Sequence, residues 1–257
     1  MKALTIIAAL VLPLGVAGAQ DLDAGLRYIA CPVYRDTDAG RKSGCWLVTD
    51  PATGRQWDVS QSPHKPDWNF AVLVEGTPAA SADQPCGAPV LDPVRSSRLD
   101  QPCVRHMIPA EGFPGRPFVL PPRNLIPLST ARPPVAGPFR ERTFSLFFEF
   151  DRSQMVYQYG DFLLDEAAHW VRSAQPRRLV ITGYAATGAE QVSGQTIAER
   201  AQVAQERADS VALSFARLFP GMEIAVHTQV GAQVNDHSDA DGIPGQSQRR
   251  VEVTAQF

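Results

Sequence analysis

Apolar residues recur at alternating steps of four and three between residues 197 and 218, which is the spacing of an amphipathic α-helix. The positions on this face are Ile197, Ala201, Ala204, Ala208, Val211, Phe215 and Leu218. Thr196 stands three residues before Glu199, a capping-box pattern that predicts where the helix begins. Arg200 and Arg207 are each adjacent to a member of the apolar face. We therefore expect both side chains at its margin, as the first candidates for contact with a ligand.

The residues around this helix alternate between strand patterns and helix patterns. Strand patterns cover residues 143–150, 178–184, 222–228 and 249–257, and a second helical pattern covers residues 161–174. The order β-α-β-α-β-loop-β requires crossover connections, so at least some of the strands must pair in parallel. The pattern predicts an α+β domain with two helices packed on a mixed sheet.

The first part of the chain has short strand patterns and no convincing amphipathic helix before residue 160. Residues 45–49 and 56–60 are β-prone and flank the turn-rich segment 50–54, which predicts a hairpin. Residues 70–74 predict a further strand, and shorter ones are expected between residues 90 and 108. We predict a small, mainly β domain here.

A proline-rich stretch separates the two parts and predicts the domain boundary. Proline at this density excludes helices and central strands and is typical of an extended connector. The predicted organisation is a signal peptide (1–19), a cysteine-containing domain (20–108), a connector (109–142) and a second domain (143–257).

The start of the chain has the pattern of a secretory signal peptide. Lys2 precedes an apolar run over residues 3–16, and residues 17–19 form a small-residue cleavage site. An uncleaved anchor is the alternative, although the run is short for a bilayer span. No other stretch approaches that length, so we expect no integral membrane span. The expected location is the periplasm, with association to the outer membrane left open.

The four cysteines all lie in the first half of the sequence. They are Cys31, Cys45, Cys86 and Cys103. An even number in an exported chain predicts two disulfides, for which three connectivities exist. We expect the sequential pairs Cys31–Cys45 and Cys86–Cys103, which close short loops. A zinc site is the alternative, but the chain has no C-x-x-C pair and its histidines are scattered.

Charge and motif content exclude several function classes. The formal net charge is −3, and removing Lys2 with the signal peptide makes it −4, which argues against a nucleic-acid partner. The sequence has no nucleophile elbow and no phosphate-binding loop. We therefore predict a protein that is not an enzyme and that uses no cofactor and no metal.

Five segments of the second domain resemble the OmpA-like C-terminal domain family in order and approximate spacing. The segments are FSLFFEFD (144–151), LDEAAHWV (164–171), LVITGYA (179–185), AQERADSV (204–211) and RRVEV (249–253). The resemblance covers under half of the chain and does not extend to the cysteine-containing domain.

The resemblance implies that this domain binds peptidoglycan non-covalently, through the diaminopimelate residue of the stem peptide. In this family an arginine of the second helix and an aspartate in the turn after the second strand hold that ligand. The arginine falls on Arg207, but the turn contains Tyr184 followed by Ala185 and Ala186, so Ala186 occupies the acidic position. Glu199 or Glu190 is a candidate replacement for the missing acid.

These observations predict a non-enzymatic cell-envelope protein that binds peptidoglycan through a degenerate site. The predicted ligand-binding residues are Tyr184, Ala186, Glu199, Arg200 and Arg207. We expect the first domain to engage another envelope protein. The alternative function is an envelope interaction or assembly scaffold whose OmpA-like domain no longer binds the cell wall.

Overall fold

The computed structural model describes residues 25–37, 44–113, 131–155, 159–231 and 242–257. The predicted signal peptide and much of the predicted connector lie outside these ranges. We call the described residues up to 113 the first half of the chain and those from 131 onward the second half. The predicted domain boundaries remain a prediction.

The strands described in the first half form two sheets. They are β1 (Leu26–Ala30), β2 (Pro32–Arg35), β3 (Cys45–Thr49), β4 (Gln56–Asp58), β5 (Phe70–Pro78), β6 (Leu91–Pro102) and β7 (Met107–Ile108). One sheet has the order β1-β5-β6 and the other the order β4-β3-β2-β7. The predicted hairpin is confirmed, since β3 and β4 pair antiparallel with Val48 opposite Trp57. The short strands expected after residue 90 are largely one long strand, β6.

The disulfide pairing expected from the sequence is wrong. The bonds are Cys31–Cys103 and Cys45–Cys86, so each joins distant parts of the first half. The hairpin of β2 and β3 explains this, because it places Cys45 opposite Arg35, at the far end of β2 from Cys31. The length of β2 separates the Cα atoms of Cys31 and Cys45 by roughly 13 Å. A disulfide tolerates only about 7 Å.

The second half is built on a four-stranded mixed sheet of order β12-β9-β13-β8. Its elements are β8 (Arg142–Phe147), α1 (Tyr159–Ala174), β9 (Arg178–Ala185), β10 (Glu190–Val192), β11 (Gln195–Ile197), α2 (Gln202–Leu218), β12 (Glu223–Val230), α3 (Pro244–Ser247) and β13 (Arg250–Gln256). Strands β9 and β12 are parallel, whereas β13 is antiparallel to both of its neighbours. Residues of α1, α2 and the sheet share one buried core. The predicted mixed α+β arrangement is therefore present, and no helix in the described ranges is long and apolar enough to span a bilayer.

The long helix begins later than its sequence pattern predicts. It starts at Gln202, and its N-cap, Ala201, makes no side-chain capping bond. Thr196 and Ile197 instead belong to β11, which pairs with β10. The two residues between these strands, Ser193 and Gly194, have positive φ values of 50° and 76°, as a tight two-residue hairpin turn requires. The capping-box prediction is wrong because the Glu199 carboxylate is used elsewhere in the fold.

The two nested disulfides predict specific cross-linked peptides. Proteolysis without reduction followed by mass spectrometry should recover Cys31 joined to Cys103 and Cys45 joined to Cys86. Replacing Cys31 and Cys103 together by serine should lower the free energy of unfolding by about 2–4 kcal/mol in urea titration, since the cross-link restricts the unfolded chain. A recovered peptide joining Cys31 to Cys45 would contradict this connectivity.

Candidate functional site

The candidate site lies where the end of β9 meets the first turns of α2. Helix α2 crosses β9 at Gly183, where a Cβ atom would stand 2.0 Å from the carbonyl oxygen of Ala204. Only glycine allows this approach. The crossing brings Arg207 on the helix next to Tyr184 and Ala186 at the end of the strand.

The side chain of Arg207 is fully buried and all of its donors are used within the chain. Its Nε donates to the carbonyl of Arg152 (2.8 Å), and Nη1 and Nη2 donate to the carbonyls of Tyr184 (2.8 Å) and Glu149 (2.9 Å). The two terminal nitrogens also donate to the Glu199 carboxylate, at 3.1 Å and 2.6 Å. An arginine has five N–H groups, so none of those on Arg207 remains for a ligand in this conformation.

Glu199 places a carboxylate beside the turn at Ala186, where the sequence has no acidic residue. Its carboxylate accepts hydrogen bonds from the backbone N–H groups of Ala186 and Asp151, both at 2.7 Å. Together with Arg207, these donors surround a side chain that is 0% exposed. Burial acts to raise the pKa of the Glu199 carboxyl, but the hydrogen bonds and charge of Arg207 outweigh it and the pKa lies below its usual range. The carboxylate is therefore held in its charged form.

Arg200 has a different environment from Arg207. It is exposed, its Nε donates to Asp151 at 2.8 Å, and its terminal nitrogens donate to Glu206 at 3.2 Å and 3.4 Å. Arg200 is exposed and lies before α2, whereas Arg207 lies inside the protein, so neither is at the expected margin of the helical face. The pairing with Asp151 connects the segment before α2 to the loop that follows β8.

Tyr184 and Glu190, the remaining polar candidates, are also engaged. The Tyr184 hydroxyl donates to Glu252 at 2.7 Å, and the guanidinium of Arg250 lies 4.0 Å above its ring. Burial, with the Glu252 hydrogen bond, raises the pKa of Tyr184 to about 12. Glu190 lies on the β10–β11 hairpin and pairs with Arg27 of the first half. The structure thus brings Tyr184, Ala186, Glu199 and Arg207 together and directs Glu190 elsewhere.

Sequence reasoning missed the loop of residues 149–152, which supplies two carbonyls and one N–H group to the Arg207–Glu199 pair. These are backbone groups, and no side-chain pattern predicts them. It also missed the buried ion pair between Glu75 of β5 and Arg249. A carboxylate directly after the apolar run at residues 71–74 was the available signal for this pair.

One group of potential metal ligands occurs among the described residues, formed by Cys45, Asp58 and Cys86. The two cysteines are bonded to each other, so neither offers a thiolate to a metal. The Asp58 carboxylate accepts from the N–H of Ser60 at 2.9 Å. This group is a disulfide beside a buried carboxylate.

No protein-family model and no curated protein matches this chain. Among solved structures, the OmpA-like domain of FopA1 from Francisella tularensis subsp. tularensis SCHU S4 is 17% identical, over 45% of this chain and 71% of that one, with a TM-score of 0.35. The peptidoglycan-associated lipoprotein from Burkholderia pseudomallei is 22% identical, over 44% of this chain and 90% of that one, with a TM-score of 0.33. A putative MotB-like protein from Desulfovibrio vulgaris is 14% identical, over 45% and 73%, with a TM-score of 0.33. These matches are a partial likeness of fold.

Removal of the Glu199 carboxylate should strongly destabilise the protein. Glu199→Ala leaves the Arg207 guanidinium buried without a counter-charge, which should lower the free energy of unfolding by about 3–5 kcal/mol in urea titration. Glu206→Ala is the matched control, since it removes a more exposed glutamate that pairs with Arg200 and should cost about 0–1 kcal/mol. Equal losses for the two variants would contradict a dominant role for the buried pair.

The same pair predicts how stability depends on pH. The pKa of Glu199 is lower in the folded than in the unfolded state, so its contribution is complete above the unfolded value and is lost as the pH falls through the folded value. Unfolding titrations of the wild type should therefore show a steeper loss on the acid side than those of Glu199→Gln. Parallel pH profiles for the two proteins would show that Glu199 does not provide this linkage.

Proposed function

We propose that this chain is a non-enzymatic cell-envelope protein that acts as an interaction scaffold, and that Arg207 stabilises its fold instead of binding the peptidoglycan stem peptide. The observation that carries the proposal is the complete use of the Arg207 donors inside the chain, with Glu199 as the counter-charge. The signal-peptide pattern of residues 1–19 and the two disulfides support an exported location.

Energetic magnitudes favour the structural role of Arg207. Breaking a buried ion pair by removing one partner costs about 3–5 kcal/mol. A hydrogen bond between a ligand and a charged group contributes about 1.5–3 kcal/mol to the free energy of binding. A ligand carboxylate would also compete with Glu199, which is attached to the same chain and already in place. Binding through Arg207 would therefore be weak unless Glu199 and the loop of residues 149–152 moved together.

Peptidoglycan binding through Arg207 is the second candidate function. The five segments that resemble the OmpA-like family favour it, because Arg207 occupies the position of the family's ligand-binding arginine. The surroundings of Arg207 also suit a carboxylate, since the guanidinium and two backbone N–H groups already hold one. In this candidate function, a stem-peptide carboxylate replaces Glu199.

Co-sedimentation with isolated sacculi separates the two functions. The mature full-length protein is mixed with sacculi that contain diaminopimelate, with and without an excess of free diaminopimelate, and the pellet is quantified. We expect free diaminopimelate to have no effect on the amount of protein in the pellet, because Arg207 is not accessible to the ligand. Arg217→Ala is a suitable control, since Arg217 is exposed in the last turn of α2, away from the candidate site, and its loss should leave the result unchanged.

The scaffold proposal would be overturned if the wild type sediments with sacculi and free diaminopimelate abolishes this sedimentation. A protein known to bind sacculi must be retained in the same assay. Circular dichroism of each sample ensures that a negative result comes from folded protein.

A further inference from the structure

We propose that the two halves of the chain pack against each other as one closed unit. The first half covers the face of the second half that is formed by Phe150 and the β10–β11 hairpin. The sequence suggested two domains on a connector, with the first domain free to engage another protein. The inference goes beyond the scaffold function and does not depend on whether the protein binds the cell wall.

The β1-β5-β6 sheet of the first half is covered on both faces. Val72 and Val74 of β5 point into the core of the first half. Ala71 and Leu73, on the opposite face of the same strand, pack with Phe150 of the second half. Without the second half, this face would be an exposed apolar surface. The continuous apolar run at residues 71–74 is typical of a strand buried on both sides.

The β10–β11 hairpin completes this contact and covers a strand edge. Val192 of the hairpin is 6% exposed and packs with Ile29 of β1. The N–H of Ile29 donates to the Ser193 hydroxyl at 3.0 Å, on the side of β1 away from β5. Arg27 of the same strand pairs with Glu190. The hairpin therefore satisfies an edge that β1 would otherwise leave open.

A buried ion pair also crosses between the halves. Glu75 is 3% exposed and Arg249 is 1% exposed, and Arg249 donates to both carboxylate oxygens, with Nη1 at 3.3 Å from Oε1. The backbone of α3 approaches so closely that a Cβ atom on Gly245 would stand 2.0 Å from Glu75. Separating the halves would remove the partner of Arg249, although Glu75 would keep its contact with Arg27 at 3.2 Å. Buried charges that lose a partner strongly oppose separation.

Further polar contacts surround this buried centre. The N–H of Phe150 donates to the Ser97 hydroxyl at 3.0 Å, Arg152 donates to Asp100 at 2.8 Å, and His64 pairs with Glu149. The Asp100 and His64 contacts are partly exposed and are therefore screened by salt. The apolar contact and the Glu75–Arg249 pair are buried, so the association should persist at high ionic strength.

Cleavage of the connector tests the proposal in the intact protein. A site for a specific protease is inserted between residues 114 and 130, and the full chain is cut after purification. Both disulfides lie within the first half, so no covalent bond joins the fragments after cleavage. We expect the fragments to co-elute at the size of one chain in 0.15 M and in 1 M salt, as measured by size exclusion with light scattering.

A charge placed on the hairpin should break the association without unfolding either half. Val192→Asp puts a carboxylate into the shared apolar contact, so the cut fragments should separate while circular dichroism stays unchanged. Gln191→Asp is the matched control, because Gln191 is exposed on the other face of the same hairpin, and its fragments should remain together.

Three outcomes would overturn the proposal. These are separation of the wild-type fragments at 0.15 M salt, continued co-elution of the Val192→Asp fragments, and co-elution at twice the mass of one chain. The last would place the contact between two copies of the protein.

Discussion

The buried ion pair of Arg207 and Glu199 holds together the parts of the second half that meet at the candidate site. It joins helix α2, the end of β9, the segment after the β10–β11 hairpin and the loop of residues 149–152. Removing two charges from water is expensive, and the pair is tolerable because backbone groups satisfy the donors and acceptors that the two side chains leave over. The geometry of the site follows from this requirement.

The pair also gives Arg207 a partner inside the chain, at a position where the resemblance predicts a ligand. The five segments that resemble the OmpA-like family include Arg207, but a guanidinium binds any well-placed carboxylate, whether from a ligand or from its own chain. Ala186 contributes only its N–H and carbonyl, and Glu199 supplies the negative charge that its side chain cannot. Arg207 and Glu199 therefore make their contacts within the chain.

Contacts between the halves extend the same principle across the chain. Glu75 lies in a strand of the first half, yet its charge is balanced by Arg249 at the start of the last strand. The hairpin that lengthens the connection between β9 and α2 covers the edge of β1. The hairpin therefore has a physical use, which is to fit the second half to the first.

The sequence by itself determined the elements whose evidence is periodic and local. The steps of three and four predicted most of α2, alternation predicted β8, and turn residues predicted the hairpin of β3 and β4, because these patterns reflect one buried face or one turn. Only the tertiary structure decided the nested disulfide pairing, the start of α2 and the partners of Arg207. Two of those partners, Tyr184 and Glu149, lie 23 and 58 residues away in sequence. Their contacts are made by backbone carbonyls, which every residue has, so only the packing of the elements selects them.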